Sequence, residues 1–320
     1  LNPLLSVEDL MVEFRVSGAI FRAPDGVSFQ IMEDECVGLV GESGSGKSVT
    51  ALAIMGLVPK TQGRIVGGRI LFEGQDLTKI IKYLRGTKIS MVFQNPLNSL
   101  NPNMKIGRQL SEVLEQHYGM SYADAIVRVV EVMKQLGIPE PEKMVERYPF
   151  EYSGGMRQRA MIAMAMLCNP KLLIADEPTT ALDVTIQAQI IQLFKQLKNQ
   201  SRTSILFISH DLSVVSQIAD RVVVMYAGKV CEISPVRKIF DKPLHPYTEG
   251  LISSIVDMKQ RKTKLKSIEG NVPSLIDPPT GCRFHPRCSR KMQICSQKEP
   301  GFFSKDDRLV KCWLYEGVGK

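Results

Sequence analysis

The chain has 320 residues, 44% of them hydrophobic and 23% charged, which is the composition of an ordinary globular protein with one large domain or one domain and an appendage. No run approaches the roughly 18 to 20 apolar residues that span a bilayer, and the first residues lack the basic and apolar regions of a signal peptide, so any spanning helices are expected from partners. The net charge of +8 is C-terminal: residues 229–320 hold 18 Lys+Arg against 10 Asp+Glu, while residues 1–228 hold 23 of each. A basic tail suits phosphates or anionic lipid heads, or forms a solvated face.

Residues 4–40 alternate apolar and polar positions in short runs, which predicts antiparallel edge strands feeding a buried strand over 36–40. That strand meets a glycine-rich loop, and residues 48–57 have helix-forming composition. Further strands are predicted at 67–72 and 88–93, followed by a turn-rich break over 95–102. Apolar residues three and four apart, such as Ile106, Leu110, Val113 and Leu114, predict helix over 106–136, an inserted helical subdomain. Short apolar runs at 172–175, 204–208 and 222–226, separated by predicted helices at 184–199 and 211–219, suggest a mostly parallel sheet of an α/β domain. Past Gly228-Lys229, eight prolines from Pro235 to Pro300 predict a loop-rich extension.

The segment Gly41-Glu42-Ser43-Gly44-Ser45-Gly46-Lys47-Ser48 fits G-x-x-x-x-G-K-[ST] completely. Its glycines let backbone N–H groups converge on phosphate oxygens at a helix N-terminus, Lys47 reaches the β- and γ-phosphates, and Ser48 ligates Mg²⁺. Asp176 follows four apolar residues, so it projects from the end of a buried strand, where a carboxylate holds Mg²⁺ through water. Glu177 is next. Alone, the Asp-Glu pair also suits a helix N-terminal charge. Between loop and pair lies Tyr152-Ser153-Gly154-Gly155-Met156-Arg157-Gln158.

In this order the three motifs resemble the ATP-binding cassette (ABC) ATPases, which implies a P-loop NTPase of ABC type with an antiparallel β edge, an inserted helical subdomain and a C-terminal extension. The resemblance divides the chain into a core over 1–94 and 157–232, a helical subdomain over 95–156 and an extension over 233–320. It implies that Ser153, Gly154 and Gly155 grip ATP held by a facing subunit, and that Lys47 and Glu177, which polarises attacking water, serve catalysis. Gln94, in Met91-Val92-Phe93-Gln94-Asn95-Pro96, resembles the Q-loop residue that contacts Mg²⁺ and water. His210, in Ile208-Ser209-His210-Asp211, resembles the switch histidine that senses γ-phosphate, and the segment 178–183, ending at Asp183, resembles the loop that crosses the dimer interface. Val49 follows Ser48 at the phosphate loop. Phe14 is the candidate for adenine stacking, with Phe21 second, though both also suit a strand core. Two positions depart from the common L-S-G-G-Q signature, since Tyr152 replaces Leu and Met156 replaces Gln.

Cys36, Cys168 and Cys231 lie in or beside apolar segments and read as core thiols. Cys282, Cys288, Cys295 and Cys312, spaced C-x5-C-x6-C-x16-C, read as one site whose ligand type suits zinc or an iron–sulfur cluster alike. The segments Leu244-His245-Pro246-Tyr247-Thr248 and 281–288 resemble the C-terminal extension of oligopeptide and dipeptide importer ATPases. That resemblance implies ATP-driven peptide uptake and a structural [4Fe–4S] cluster on the four cysteines. Its partners are a paralogous ATP-binding subunit or a second copy, two transmembrane permease subunits and, indirectly, an extracytoplasmic peptide-binding protein. The protein is expected at the cytoplasmic face of the cell membrane, without nucleic acid. The rivals are an ABC-type ATPase acting on nucleic acid and an iron–sulfur redox protein with a regulatory nucleotide site; a tail poor in aromatics and the lack of a long heptad insertion disfavour the first.

Overall fold

The computed structural model describes residues 2–16, 18–180, 182–254 and 268–317. The chain opens with strands β1 (Leu5–Val16), β2 (Ala19–Ile31) and β3 (Cys36–Val40), helix α1 (Lys47–Ile54), strands β4 (Gly63–Phe72) and β5 (Gln75–Asp76), helix α2 (Leu77–Leu84) and strand β6 (Ile89–Val92). A helical stretch follows, with α3 (Pro96–Ser99), α4 (Ile106–Tyr118), α5 (Tyr122–Gln135), α6 (Pro141–Met144) and α7 (Gly154–Met166). Then come β7 (Leu172–Asp176), α8 (Val184–Ser201), β8 (Ser204–Ser209), α9 (Leu212–Val215), β9 (Arg221–Tyr226) and β10 (Lys229–Pro235). The last part carries α10 (Val236–Asp241), α11 (Pro246–Ser253), α12 (Gln293–Gln297), β11 (Phe303–Lys305) and β12 (Arg308–Val310). Two compact units emerge: Leu1–Met32, Cys36–Thr78 and Ile208–Lys320 form the first, and Glu33–Glu35 with Lys79–Phe207 the second.

In the first unit β1 pairs antiparallel with β2 on one side and β4 on the other, so the alternating pattern of 4–40 is that of an antiparallel sheet. β3 is buried at every position and runs parallel to β9, with Leu39 opposite Val223; strands covered on both faces need this continuous apolar composition. A two-residue turn, Ala227-Gly228, both at positive φ, joins β9 to β10. This is the backbone shape that a tight hairpin demands, and glycine adopts it without strain. The chain does not leave the sheet there: β10 continues to Pro235 and pairs with β12, Glu232 lying opposite Val310. The expected boundary after residue 232 therefore falls inside a strand. The proline-rich segment is loop-rich and carries a small core in which Leu244, Val310 and Cys312 are buried beside Phe303 and Tyr315.

In the second unit β6 and β7 are parallel, with Val92 opposite Ala175, and both are fully buried. The predicted helix over 106–136 is two helices: Gly119 closes α4 in the left-handed region, and the Ser121 side chain caps α5 by accepting the Asp124 N–H. The turn-rich break contains the single helical turn α3. Helix α9 is shorter than the predicted 211–219, since the N–H groups of Gln217 and Ile218 bond three residues back, to Val214 and Val215.

Candidate functional site

In the first unit β3 stops at Val40 and α1 starts at Lys47, so residues 41–46 form the loop that the sequence predicts. Close approach fixes its glycines: a Cβ on Gly41 would sit 2.1 Å from the Met225 carbonyl oxygen, and Gly46 has φ +96 with Pro24 N 3.2 Å from an added Cβ. Lys47 is buried, and its Nζ donates to the carbonyl oxygens of Gly41 at 2.8 Å and Glu42 at 3.1 Å. The Ser45 hydroxyl is buried without a hydrogen-bond partner among the described residues, while Ser43 and Gly44 are exposed and Ser48 and Val49 half-buried. A buried lysine, an unsatisfied hydroxyl and an eight-residue helix pointing its N-terminus at the loop together fit the phosphates of a nucleotide. Two residues outside the motif hold the loop. Tyr247 accepts the Glu42 N–H at 2.9 Å, and Arg287 grips the Glu42 carboxylate at 2.8 and 3.3 Å.

In the second unit Asp176 ends β7 and is buried. Glu177, the next residue, has φ +46, a strained region for any residue with a Cβ. Its Oε2 accepts hydrogen bonds from Gln94 Nε2 at 3.0 Å and Thr180 Oγ1 at 2.9 Å, so two donors fix the carboxylate. Ser153 caps α7, accepting the Met156 N–H at 3.3 Å, and leaves Gly154 and Gly155 at the helix N-terminus. An added Cβ at Gly155 would meet Ile186 Cγ2 at 2.9 Å. Tyr152 is a core anchor, since its buried hydroxyl donates to the Met144 carbonyl at 2.9 Å and burial pushes its pKa up. Asp183 caps α8 by accepting the Ile186 N–H at 3.0 Å; Ala181 lies outside the described residues.

Two further candidates lie in the first unit. His210 is exposed just past β8, ahead of Asp211, which caps α9. Phe14 is half-buried and stacks on Phe21 across the β1–β2 ladder, with centroids 5.5 Å apart and rings 18° from parallel, so the two aromatic candidates cover each other.

Cys36, Cys168 and Cys231 are buried, as expected of core thiols. The four tail cysteines form no disulfide. They lie within electrostatic reach of one another, and burial is the main cause that pushes Cys282 up to about 11 and raises Cys288 and Cys312, with neighbouring thiols adding to the shift. Yet among the described residues no group of three or more His, Cys, Asp or Glu side chains is gathered to hold a metal ion. The four thiols sit on a loop, at the end of a 3₁₀ turn, inside α12 and after β12. Mg²⁺ requires no such cage, since it is usually held by one or two protein oxygens together with substrate phosphates.

Among the described residues no helix is long and apolar enough to cross a membrane. The family described as ABC transporter matches residues 24–180, and the C-terminal region of oligopeptide/dipeptide transporters matches residues 231–295. The chain is 49% identical to the oligopeptide transport ATP-binding protein AppD of Bacillus subtilis (strain 168), over 100% of this chain and 99% of that protein. It is 46% identical to the dipeptide transport ATP-binding protein DppD of the same organism, over 99% of this chain and 96% of that protein. Among solved structures, a dimeric ATP-binding cassette in a post-hydrolysis state bound to ADP and phosphate superposes with a TM-score of 0.65 at 26% identity, covering 73% of this chain and 99% of that one.

Proposed function

Because the chain belongs to the ABC transporter family, in its oligopeptide/dipeptide branch, we propose that it is the ATP-hydrolysing subunit that powers import of di- and oligopeptides through a membrane transporter. The observation that carries this reading is a complete phosphate loop around buried Lys47 in the first unit; the second unit separately holds a strand-end carboxylate, Glu177, with hydrogen bonds from Gln94 and Thr180.

Lys47 and the loop N–H groups bind the β- and γ-phosphates, and Ser48 and Asp176 supply oxygens for Mg²⁺, with Gln94 beside them in role. Glu177 orients water for in-line attack on the γ-phosphorus, while Lys47 offsets the charge that develops on the transferred phosphoryl oxygens; Mg²⁺, when bound, would supply further positive charge there. Ser153, Gly154 and Gly155 present a hydroxyl and backbone N–H groups to nucleotide held by a facing ATP-binding subunit, either a paralogue or a second copy. Met156 carries no side-chain amide, so the backbone at this helix N-terminus supplies the contact. His210 senses the γ-phosphate, and the region after Gln94 passes movement to two permease subunits at the cytoplasmic membrane face, with peptide delivered by an extracytoplasmic binding protein. Vesicles reconstituted with permeases and this chain are expected to take up peptide only with ATP. Glu177→Gln should abolish turnover while ATP binding persists, and unchanged ATPase activity would overturn the assignment.

The reading of Cys282, Cys288, Cys295 and Cys312 as ligands of a structural [4Fe–4S] cluster rests on the thiol donor set and the resemblance of the tail. Iron and sulfide analysis of protein purified without oxygen tests it. Near-stoichiometric iron and sulfide are expected, and zinc without iron would overturn it.

A further inference from the structure

The residue that follows the first glycine of the phosphate loop, Glu42, is held from the C-terminal segment at its backbone N–H and at its carboxylate. Its N–H donates to the Tyr247 hydroxyl at 2.9 Å, its carbonyl accepts from Lys47 at 3.1 Å, and its carboxylate receives both Nη atoms of Arg287. Arg287 is 6% exposed and Glu42 28%, so this is a largely desolvated, two-pronged ion pair rather than a surface contact. Arg287 is itself fixed: it donates to the Tyr226 hydroxyl at 3.2 Å and to the carbonyls of Ile268 at 3.1 Å and Glu269 at 3.0 Å.

Tyr247 is equally constrained. Its ring packs against Tyr226 at 4.6 Å and Phe284 at 5.4 Å, and its N–H donates to His245 Nδ1 at 3.0 Å. The buried Glu232 carboxylate in turn accepts the N–H groups of Leu244 and His245. A second arm reaches the same loop. Arg283 bonds the Ala227 carbonyl and Asp25, and the neighbouring Gly228 N–H donates to the Ser45 carbonyl at 3.1 Å.

We propose that Arg287 and Tyr247 are positioning residues for nucleotide binding, which set the shape of the phosphate loop through Glu42 and make the ATP affinity of this chain depend on its C-terminal segment. Two physical effects act in the same direction. A loop held in its binding shape loses less conformational freedom when ligand arrives. Arg287 also offsets a carboxylate that would otherwise repel the anionic phosphates at close range, and removing one partner of a buried pair leaves the other uncompensated. Lysine does not substitute for a planar fork that engages both carboxylate oxygens.

The proposal rests on residues 41–48 being the nucleotide site, so Lys47→Ala serves as the control for that reading. With the purified full chain and Mg-ATP, Arg287→Ala is expected to weaken binding about tenfold, and in the reconstituted transporter to raise KM with kcat within about twofold. Adding Glu42→Gln to Arg287→Ala should recover most of that loss, because the uncompensated charge is gone; an arginine that merely anchors the tail would give no such rescue. Tyr247→Phe keeps the buried ring and removes one hydroxyl, so it should weaken binding a few-fold even if Arg287→Ala fails to fold. If Lys47→Ala binds Mg-ATP normally, the site reading fails. If Lys47→Ala loses binding while Arg287→Ala or Tyr247→Phe retains full affinity, or if Glu42→Gln gives no rescue, the positioning role is wrong.

Discussion

Glu177 takes its hydrogen bonds from Thr180, three residues away, and from Gln94, 83 residues away, both within its own unit, whereas Glu42 depends on Tyr247 and Arg287, 205 and 245 positions downstream. The difference separates two tasks. The carboxylate proposed to orient water is held by Thr180 and Gln94, so substitutions around it should act on the chemical step and leave stability nearly untouched. The loop proposed to bind phosphate is tied to a long-range network through Glu232, His245, Tyr247 and Arg287, so damage in the tail should reach ATP affinity and the stability of the first unit together.

Substitutions in the network give the largest expected effect on stability. Glu232 is fully buried and accepts two backbone N–H groups, so Glu232→Ala leaves both unsatisfied and should cost about 3 kcal/mol in chemical denaturation, with weaker ATP binding. A loss below about 1 kcal/mol would show that the tail does not support the loop. Next comes pH. Burial, with Arg290 adding to it, lowers His245 from 6.5 to about 3, so the folded protein holds this side chain neutral while the unfolded chain takes a proton below about pH 6.5. Its contribution is complete above 6.5 and is lost as pH falls toward 3. Between pH 7 and pH 5 that amounts to about 2 kcal/mol. His245→Asn, which keeps an acceptor near the Tyr247 N–H, should flatten the slope; an unchanged slope in this variant would assign it to other groups. The smallest effect is expected at Glu177, the carboxylate proposed to act in catalysis. Thr180→Val removes the Thr180 hydroxyl that donates to Glu177 and should lower kcat a few-fold, with denaturation midpoint and ATP affinity unchanged. A marked fall in affinity would erase the contrast between the two regions.

The phosphate loop, the strand-end carboxylates and the signature turn were legible in the sequence because each depends on contiguous residues: glycines where backbone must approach closely, Ser153 at a helix cap, Asp176 at the end of an apolar run. The break between α4 and α5 was legible in principle from Gly119 and Ser121, but a continuous apolar periodicity masks it. The tail was not legible. Prolines signal the absence of long helices but say nothing of three-residue strands such as β12, whose Val310 pairs with Glu232 of β10, far upstream in the chain. The grip of Arg287 on Glu42 has no local signature at all, since any arginine beside a cysteine in a loop reads as a solvated charge. Only the fold brings the two together.

The division of labour is tested most directly by measuring kcat and KM for ATP in the reconstituted transporter carrying either Glu177→Gln or Arg287→Ala. Opposite signatures are expected: kcat falls about 10³-fold with KM within a few-fold for the first, and KM rises about tenfold with kcat nearly intact for the second. Unchanged kcat in Glu177→Gln, or a fall in kcat without a change in KM in Arg287→Ala, would contradict it.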